Sequence, residues 1–366
     1  MTDVGIVAAG QTRFTMDVRS IQQILFDAAS TILSSVDNTI IDGILVSTND
    51  TNRYLGAVLS DMCGIQPRIS HAVESMCGSG GSAVMAAYSY IKAGLARSML
   101  VVGAELPNSP GNLLDWDVSR GQFQSPIYWG SILTKSYKRR HDVPAESISA
   151  VAAKNHSLAA DNPDALYGYT CTSADVMQSK EVTADLRLWD CSRACAGGAA
   201  ILIADEQTCQ AITDDIVWIR GMSQCVLSAA FGRYSRYDRI DSARRAATDA
   251  YRTADITPAM IDVVEVHDAF SVCEIMATEA LQIAEYGQGA SYAHDLYSTG
   301  SRRVNPRGGI LGSGHPLGAT GISQTVEIFR QLRGEAKDRQ VSDACTGVTH
   351  GMSAAGTSSM VAVMQR

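Results

Sequence analysis

Two parts of this chain repeat one order of segments, and this repeat constrains the fold more than any other feature. Residues 261–266 (IDVVEV) match residues 41–46 (IDGILV), and a glycine-rich turn precedes a helical pattern in each copy, at 77–81 and at 312–321. Because β-rich runs and amphipathic helical runs alternate in both copies, we predict two copies of one α/β unit. The same alternation predicts a largely parallel sheet that is covered by helices.

The individual elements follow from the spacing of apolar residues. A short run that is apolar throughout predicts a buried strand, whereas apolar residues three and four apart predict an amphipathic helix. The predicted strands are 4–9, 41–47, 99–105, 198–203, 216–222, 261–266 and 356–361, and the predicted helices are 21–35, 82–96, 242–253 and 322–333.

A long segment of the first copy, residues 115–196, has no counterpart in the second copy. A segment of this length inside a compact unit usually has its own structure and a role such as covering a site. We therefore divide the chain into an N-terminal half of residues 1–115 with 196–214, a loop domain of residues 116–195, and a C-terminal half of residues 215–366.

Composition limits the classes of protein to which the chain can belong. With 366 residues, 46% of them hydrophobic and 19% charged, the chain can bury a large core. The net charge of −8 argues against nucleic-acid binding, and basic clusters at 135–140 and 233–245 are either local anion sites or solvated faces. Nine cysteines are too few for a disulfide scaffold, and the sequence shows no export signal or membrane-spanning run, so we expect a cytoplasmic protein.

Cys77 stands directly before a glycine-rich turn and a helical pattern, and three interpretations fit it. The amides and dipole of a helix N-terminus favour a thiolate, so Cys77 can be a nucleophile that attacks carbonyl carbon. A lone cysteine is more often a small buried hydrophobic residue. The spacing of Gly78, Gly80 and Ala83 also fits a dinucleotide-binding turn, but the preceding segment 69–76 is too polar for the buried first strand of such a unit.

Two histidines occupy matching places in the second copy. His267 follows a predicted strand, and His315 lies between Gly314 and Pro316 in the second glycine-rich turn. If the halves pack about a pseudo-twofold axis, strand ends and helix N-termini converge, and Cys77 faces both histidines. One imidazole can then take the thiol proton, and imidazole N–H groups can stabilise a thioester oxyanion, which suits acyl transfer. Taken alone, His267 is more often a structural histidine.

Three motifs together resemble the thiolase superfamily: Cys77 in its turn, HDAF at 267–270, and GSGHPLGATG at 312–321. The HDAF motif is similar to that of the archaeal and sterol-carrier-protein-type branch. The resemblance implies a duplicated, five-layered αβαβα fold with an inserted loop domain. It also implies a homodimer or homotetramer that acts on coenzyme A thioesters.

The resemblance implies a role for each matching residue. Cys77 would accept the acyl group, His315 would activate Cys77, and His267 would form an oxyanion hole with His315. Asp268 is expected to hold local backbone rather than to touch substrate. The substrate-binding positions that the resemblance implies are Ala269, Phe270, Gly318 and Gly356.

The C-terminal part departs from the family pattern. Many members carry a second reactive cysteine there, whereas residues 349–356 read THGMSAAG, which places His350 near the missing cysteine. The acid or base that handles the α-proton is therefore open, with His350 as a candidate. Cys273 and Cys345 are expected to be core residues.

The activity implied by the resemblance is that of an acetyl-CoA C-acetyltransferase, which forms acetoacetyl-CoA reversibly through an acyl-Cys77 intermediate. The alternatives are a non-catalytic thiolase-like subunit that binds acyl chains or lipids, and an aldolase of the same fold. We expect coenzyme A thioesters as substrates, no permanently bound cofactor and no metal. The implied hetero-partners are a small OB-fold protein and a hydroxymethylglutaryl-CoA synthase, with neither nucleic acid nor membrane.

Overall fold

The computed structural model describes residues 2–17, 19–108, 125–234 and 236–366. Its strands are β1 (Val4–Gln11), β2 (Gly43–Ser47), β3 (Ile69–Val73), β4 (Ser98–Glu105), β5 (Glu181–Thr183), β6 (Leu186–Arg187), β7 (Gly197–Asp205), β8 (Val217–Val226), β9 (Val263–Glu265), β10 (Thr346–Ser353) and β11 (Ser358–Gln365). Its α-helices are α1 (Ile21–Leu33), α2 (Leu55–Cys63), α3 (Ser79–Lys92), α4 (Pro126–His141), α5 (Ala145–Ala159), α6 (Ser173–Gln178), α7 (Glu206–Ile212), α8 (Asp241–Ala254), α9 (Ser271–Ala280), α10 (Gly289–Thr299), α11 (Gly309–Ser313) and α12 (Leu317–Leu332). Every predicted strand and helix is present, with ends shifted by no more than five residues. Among these described helices, none has both the length and the apolar character needed to span a bilayer.

One sheet of nine strands carries the duplication. Its order is β3-β2-β4-β7-β1-β8-β11-β10-β9, so the strands of the second copy follow those of the first in mirrored order. The two halves join at β1 and β8 through the register pairs Gly5 with Trp218 and Ile6 with Val217. The repeat therefore folds as two similar halves that share one continuous sheet.

The prediction of a largely parallel sheet was wrong. β2 is parallel to β3 and β4, and β9 is parallel to β10. The remaining neighbouring pairs, which are β4–β7, β7–β1, β1–β8, β8–β11 and β11–β10, are antiparallel. For β10 and β11 the physical reason is the connection at residues 354–357, which is too short for the crossover that parallel neighbours require.

The two halves of the sheet form two β layers, with helices between them and on their outer faces. α3 and α12 pack together between the two halves, in a core that includes Val84, Ile322, Ile201 and Met364. α1 and α2 cover the other face of the N-terminal half, and α8 and α9 cover the other face of the C-terminal half. This alternation of helices and strands confirms the predicted five-layered αβαβα fold.

Glycines let the two central helices touch. A Cβ atom on Gly321 would lie 2.5 Å from the backbone nitrogen of Gly81, and one on Gly80 would lie 2.9 Å from that of Gly321. A side chain at either position would therefore push the helices apart. Because α3 begins just after Cys77 and α12 just after His315, this contact holds the two helix N-termini close together.

The described part of the loop domain, residues 125–195, contains α4, α5, α6 and the β5–β6 hairpin. α5 is buried along most of its length and packs against α9, α10 and α11. The loop domain is thus attached to the C-terminal half through one of its helices. The predicted boundary between residues 115 and 116 lies outside the described residues.

Candidate active site

Cys77, His267 and His315 meet at the end of the central helices. The sulfur of Cys77 and one ring nitrogen from each histidine all lie within 4.8 Å of one another. The imidazole rings of His267 and His315 pack edge to face, with centroids 5.2 Å apart. The convergence that the repeat predicts is therefore present in the structure, with the thiol from one half and the imidazoles from the other.

The backbone before Cys77 adopts an uncommon conformation. Met76 has a φ of +52°, a left-handed value that a side-chain-bearing residue rarely takes. Three contacts hold it: the Met76 amide donates to Glu74 Oε1 at 2.7 Å, while Ser79 Oγ at 2.6 Å and Asn49 Nδ2 at 3.3 Å donate to the Met76 carbonyl. These bonds fix the turn from which the Cys77 side chain extends.

The surroundings of Cys77 favour the thiol over the thiolate. Burial raises the pKa of Cys77 to about 12, and the negative charges of Glu105 and Glu74 also raise it, whereas the backbone amides of Cys77 and Ala354 lower it. The expectation that a helix N-terminus favours the thiolate is therefore not met, because α3 begins two residues later and burial dominates. A thiol in this state needs a base before it can attack.

The hydrogen bonds of His315 leave one of its ring nitrogens available as a proton acceptor. Its Nδ1 lies 2.8 Å from Thr320 Oγ1, and the Thr320 hydroxyl donates to the Pro316 carbonyl at 3.0 Å. A hydroxyl has one proton, so both bonds form together only when Nδ1 of His315 carries the hydrogen and donates it. Nε2 is then a bare acceptor, buried and without a hydrogen-bond partner among the described residues. Burial and the charge of Arg307 lower the pKa of His315 to about 3, so the ring is neutral.

His267 is the second neutral imidazole. Burial is the main cause that lowers its pKa well below 6.5, and His315, His350 and Arg307 act in the same direction. Its Nδ1 has no hydrogen-bond partner among the described residues. A neutral imidazole keeps one N–H donor, which can face a developing oxyanion.

A buried polar network begins at Asp268, the residue that follows His267. The Asp268 carboxylate accepts hydrogen bonds from the Ile310 amide at 2.6 Å and from Asn155 Nδ2 at 2.7 Å. Asn155 also donates to Glu274, whose carboxylate forms an ion pair with Lys154 at 3.0 Å. Burial and the charge of Glu274 raise the pKa of Asp268 to about 6. Asp268 thus holds backbone, as expected, and links His267 to α5 of the loop domain.

A cavity of about 840 Å³ borders the three residues. Cys77, His267 and His315 line it together with Ala269 and Phe270, which were predicted to bind substrate. The loop domain contributes an aromatic and apolar wall that consists of Trp129, His156, Tyr169, Leu188 and Trp189. Within that wall, the rings of His156 and Tyr169 are stacked with centroids 5.1 Å apart.

The other predicted substrate-binding residues lie elsewhere in the described structure. A Cβ on Gly318 would lie 2.6 Å from the Ser47 carbonyl oxygen, so Gly318 packs α12 against the strands. Gly356 has a φ of +85°, and its carbonyl accepts a hydrogen bond from Ser242 Oγ at 2.6 Å. Neither glycine belongs to the described lining of the cavity, so both contribute to packing and chain geometry.

The candidate acid–base residues other than His315 also have defined places. His350 is fully buried on β10, with Nε2 at 3.3 Å from Ser359 Oγ, and is not part of the described cavity lining. Cys273 is buried, as expected, and in addition lines the cavity. The expectation that Cys345 is a core residue was wrong, because it is exposed just before β10.

Several residues of the site were not predicted from the sequence. Ala354 and Ala355 line the cavity and have left-handed φ values of +45° and +60°. Their only sequence signal is that they stand where the family has a run of glycines. Thr320 carried no signal, because a hydroxyl five residues after a histidine is not a motif.

Known proteins share both the sequence pattern and the fold. The family model described as "Thiolase C-terminal domain-like" matches residues 231–366. Acetyl-CoA acetyltransferase of Methanothermobacter thermautotrophicus is 32% identical, in a match that covers 100% of both chains. Sterol carrier protein 2 of Homo sapiens is 30% identical over 78% of this chain and 56% of that protein. The solved structure of an Ltp2-ChsH2(DUF35) aldolase has a TM-score of 0.88 at 20% identity, covering 99% of this chain and 97% of that chain.

Proposed function

The chain belongs to the thiolase superfamily, and from this premise we propose that it is an acetyl-CoA C-acetyltransferase. The observation that carries the proposal is the meeting of the Cys77 thiol with the imidazoles of His267 and His315 beside a cavity. Similarity to the archaeal acetyl-CoA acetyltransferase supports acetyl-CoA as the acyl donor.

In the first half-reaction, the sulfur of Cys77 attacks the thioester carbonyl carbon of acetyl-CoA while Nε2 of His315 takes the thiol proton. The bond between that carbon and the sulfur of coenzyme A then breaks. His315 returns the proton to the departing thiolate, which leaves free coenzyme A and acetyl-Cys77. The amides of Cys77 and Ala354, which face the Cys77 sulfur, would donate to the transient oxyanion.

In the second half-reaction, a second acetyl-CoA loses an α-proton, and the resulting carbanion attacks the acetyl-Cys77 carbonyl. A carbon–carbon bond forms, the bond to Cys77 breaks, and acetoacetyl-CoA is released. We assign the α-proton to Nε2 of His315, which would then pass it to the Cys77 thiolate, and we assign the N–H of His267 to the enolate oxygen. One base would then serve both half-reactions, so the missing second cysteine would not prevent turnover.

The experiment that tests this function follows the acyl group. The protein is incubated with isotopically labelled acetyl-CoA, coenzyme A release is measured, and digested peptides are analysed by mass spectrometry. We expect label on the Cys77 peptide and coenzyme A-dependent loss of acetoacetyl-CoA. Both should be absent in Cys77→Ser and intact in Cys345→Ser, which removes an exposed cysteine.

Two other outcomes would contradict the proposal. Tight acyl-CoA binding without label or turnover would identify a non-catalytic acyl-binding subunit. Unchanged turnover in the Cys77 variant would exclude the covalent intermediate.

An aldolase of the same fold is the second candidate. It is favoured by the C-terminal loop, in which Ala354 and Ala355 line the cavity where many family members have a reactive cysteine and glycines. A retro-aldol cleavage needs no acyl-enzyme and no free coenzyme A. Product formation from a β-hydroxyacyl-CoA without added coenzyme A, and its persistence in Cys77→Ser, would therefore establish the aldolase and exclude the acetyltransferase.

We propose a homodimer that forms through β3. This strand ends the nine-strand order, and its residues Ser70, His71 and Ala72 are exposed. An exposed strand edge favours pairing with a second chain. Light scattering should give a dimer mass for the wild type and a monomer mass for Ala72→Pro, because proline lacks the backbone N–H that pairs in a sheet.

We also propose a small OB-fold hetero-partner, which the ChsH2(DUF35) component in the name of the aldolase neighbour supports.

A further inference from the structure

The Cys77, His267 and His315 side chains form a cluster that also has the composition of a zinc site. Zn²⁺ prefers thiolate sulfur and imidazole nitrogen, and this cluster offers one sulfur and two nitrogens within 4.8 Å of one another. With Zn–S bonds of about 2.3 Å and Zn–N bonds of about 2.1 Å, tetrahedral ligands lie roughly 3.3–3.6 Å apart. Side-chain shifts of about 1 Å would therefore be enough to close the cluster around an ion.

Two imidazole nitrogens of the cluster lack partners. His315 is 6% exposed and His267 is 2% exposed, yet Nε2 of His315 and Nδ1 of His267 have no hydrogen-bond partner among the described residues. Buried polar atoms without partners are rare in folded proteins and call for an explanation such as an ion. A bound cation would accept the lone pair of His315 Nε2 without competition from another donor.

The surroundings of His315 match those of a metal-binding histidine. Metal-bound histidines almost always donate their other ring N–H to an oxygen, which fixes the ring and its tautomer. Thr320 Oγ1 accepts this bond from His315 Nδ1 at 2.8 Å. The nitrogen that remains free is therefore the one that a metal would need.

The cluster supplies three ligands, and all three residues line the cavity, from which a fourth ligand could come. Catalytic zinc sites have this arrangement, in which a water or a substrate atom completes the tetrahedron, whereas structural sites are closed by four protein ligands. An ion could therefore enter and leave through the cavity, and a thioester that fills the cavity would compete with it.

We propose that Zn²⁺ binds to Cys77, His267 and His315 and reversibly inhibits the protein. On binding, the Cys77 sulfur forms a bond to the ion and its proton is released to solvent, while each imidazole donates one lone pair. No oxidant or reductant is involved. Zinc binding stands without the proposed function, whereas inhibition of acyl transfer rests on it.

Metal binding is tested on the full chain after treatment with a chelator. Zn²⁺ is titrated against a chromophoric chelator, and Co²⁺ serves as a spectroscopic substitute. We expect one equivalent of metal and a thiolate-to-cobalt charge-transfer band. Cys77→Ser should abolish the band and weaken binding by more than about 100-fold, beyond the effect of losing an outer partner. Cys345→Ser, which alters an exposed cysteine, should leave both unchanged.

Thr320 provides a second arm of the test. Thr320→Val should lower zinc affinity by about 10- to 100-fold, because loss of an outer-shell hydrogen bond typically has this effect. Thr325→Val is the matched control, since Thr325 lies on the same helix and its hydroxyl donates only to the Gly321 carbonyl at 2.9 Å. Thermal unfolding of each variant without metal shows whether it is folded.

The outcomes separate the inference from the proposed function. Binding that persists in Cys77→Ser, or a cobalt complex without the charge-transfer band, would place the ion elsewhere and overturn the inference. Zinc binding by a protein that shows no acyl transfer even when metal-free, after treatment with the chelator, would contradict the proposed function and support the site. If the rate of acyl transfer is the same with saturating Zn²⁺ as with chelator, the proposed inhibition is overturned.

Discussion

The hydrogen bond between His315 and Thr320 gives the sharpest prediction about catalysis. We consider Thr320→Val, which replaces the hydroxyl by a methyl group of similar size. The valine cannot accept the Nδ1 hydrogen of His315, so a buried donor loses its partner. The ring then favours the tautomer with the hydrogen on Nε2, and that tautomer cannot take the Cys77 proton.

The size of the effect follows from the lost acceptor. A buried donor left without a partner costs about 1–3 kcal/mol. If this free energy appears in the acylation step, the rate of coenzyme A release in the first turnover falls by about 5- to 150-fold. Thr320→Ser keeps the hydroxyl and should recover most of the rate.

The assay is single-turnover release of coenzyme A from acetyl-CoA, with thermal unfolding measured in parallel. Thr325→Val is the control, because both threonine hydroxyls donate to a carbonyl four residues earlier, at 3.0 Å and 2.9 Å, and only Thr320 also contacts a histidine. Equal rates in the two valine variants would refute the assignment of the His315 tautomer. A rate loss in Thr320→Ser as large as in Thr320→Val would also refute it.

Three further predictions concern the framework of the site. Burial lowers the pKa of His350 to about 4 from its ordinary value of 6.5, so the unfolded chain takes up a proton that the folded chain excludes. In denaturant titrations, the wild type should therefore lose about 3 kcal/mol more unfolding free energy than His350→Gln as pH falls from 6.5 to 4. The His350→Gln variant should retain acyl transfer. An equal loss of stability in the two proteins, or loss of turnover in the variant, would contradict the prediction. Gly318→Ala should strongly lower the unfolding midpoint, because the new Cβ meets backbone at 2.6 Å, whereas Gly351→Ala has open space and should be neutral. Lys154→Met should cost about 3–5 kcal/mol in denaturant unfolding, because it leaves the buried Glu274 carboxylate without its ion-pair partner. A loss below about 1 kcal/mol would contradict this.

The repeat made the two similar halves and the meeting of three side chains predictable from sequence, while the five-layered arrangement was implied by the family resemblance. Equivalent strand ends and helix N-termini must meet when two copies pack about a pseudo-twofold axis, so Cys77, His267 and His315 could be brought together without coordinates. The direction of the strands could not be obtained in the same way. β10 and β11 read as ordinary buried strands, and only the short connection between them makes the pair antiparallel.

Properties that depend on the depth of burial escaped prediction. The glycine-rich turn indicated a thiolate at Cys77, whereas the surrounding protein raises the pKa of the thiol to about 12. The family resemblance implied that Gly318 binds substrate, but its place is set by the backbone of β2 and β4. The aromatic wall of the cavity comes from the segment without a repeat, where no second copy indicates which residues turn inward.

Within the loop domain, the buried helix α5 should tolerate substitution less well than the aromatic wall of the cavity. Lys154 and Asn155 on this helix bind Glu274, and Asn155 also binds Asp268, the neighbour of His267. A change in α5 would therefore be transmitted to the reacting atoms. Trp129 and Trp189 border the cavity from α4 and from the segment after β6, and the Trp189 carbonyl oxygen lies 3.2 Å from Nε2 of His156 on α5. Exchange of the insertion as a whole would therefore remove the buried partners of Asp268 and Glu274, whereas a substitution at Trp129 or Leu188 would leave those partners in place.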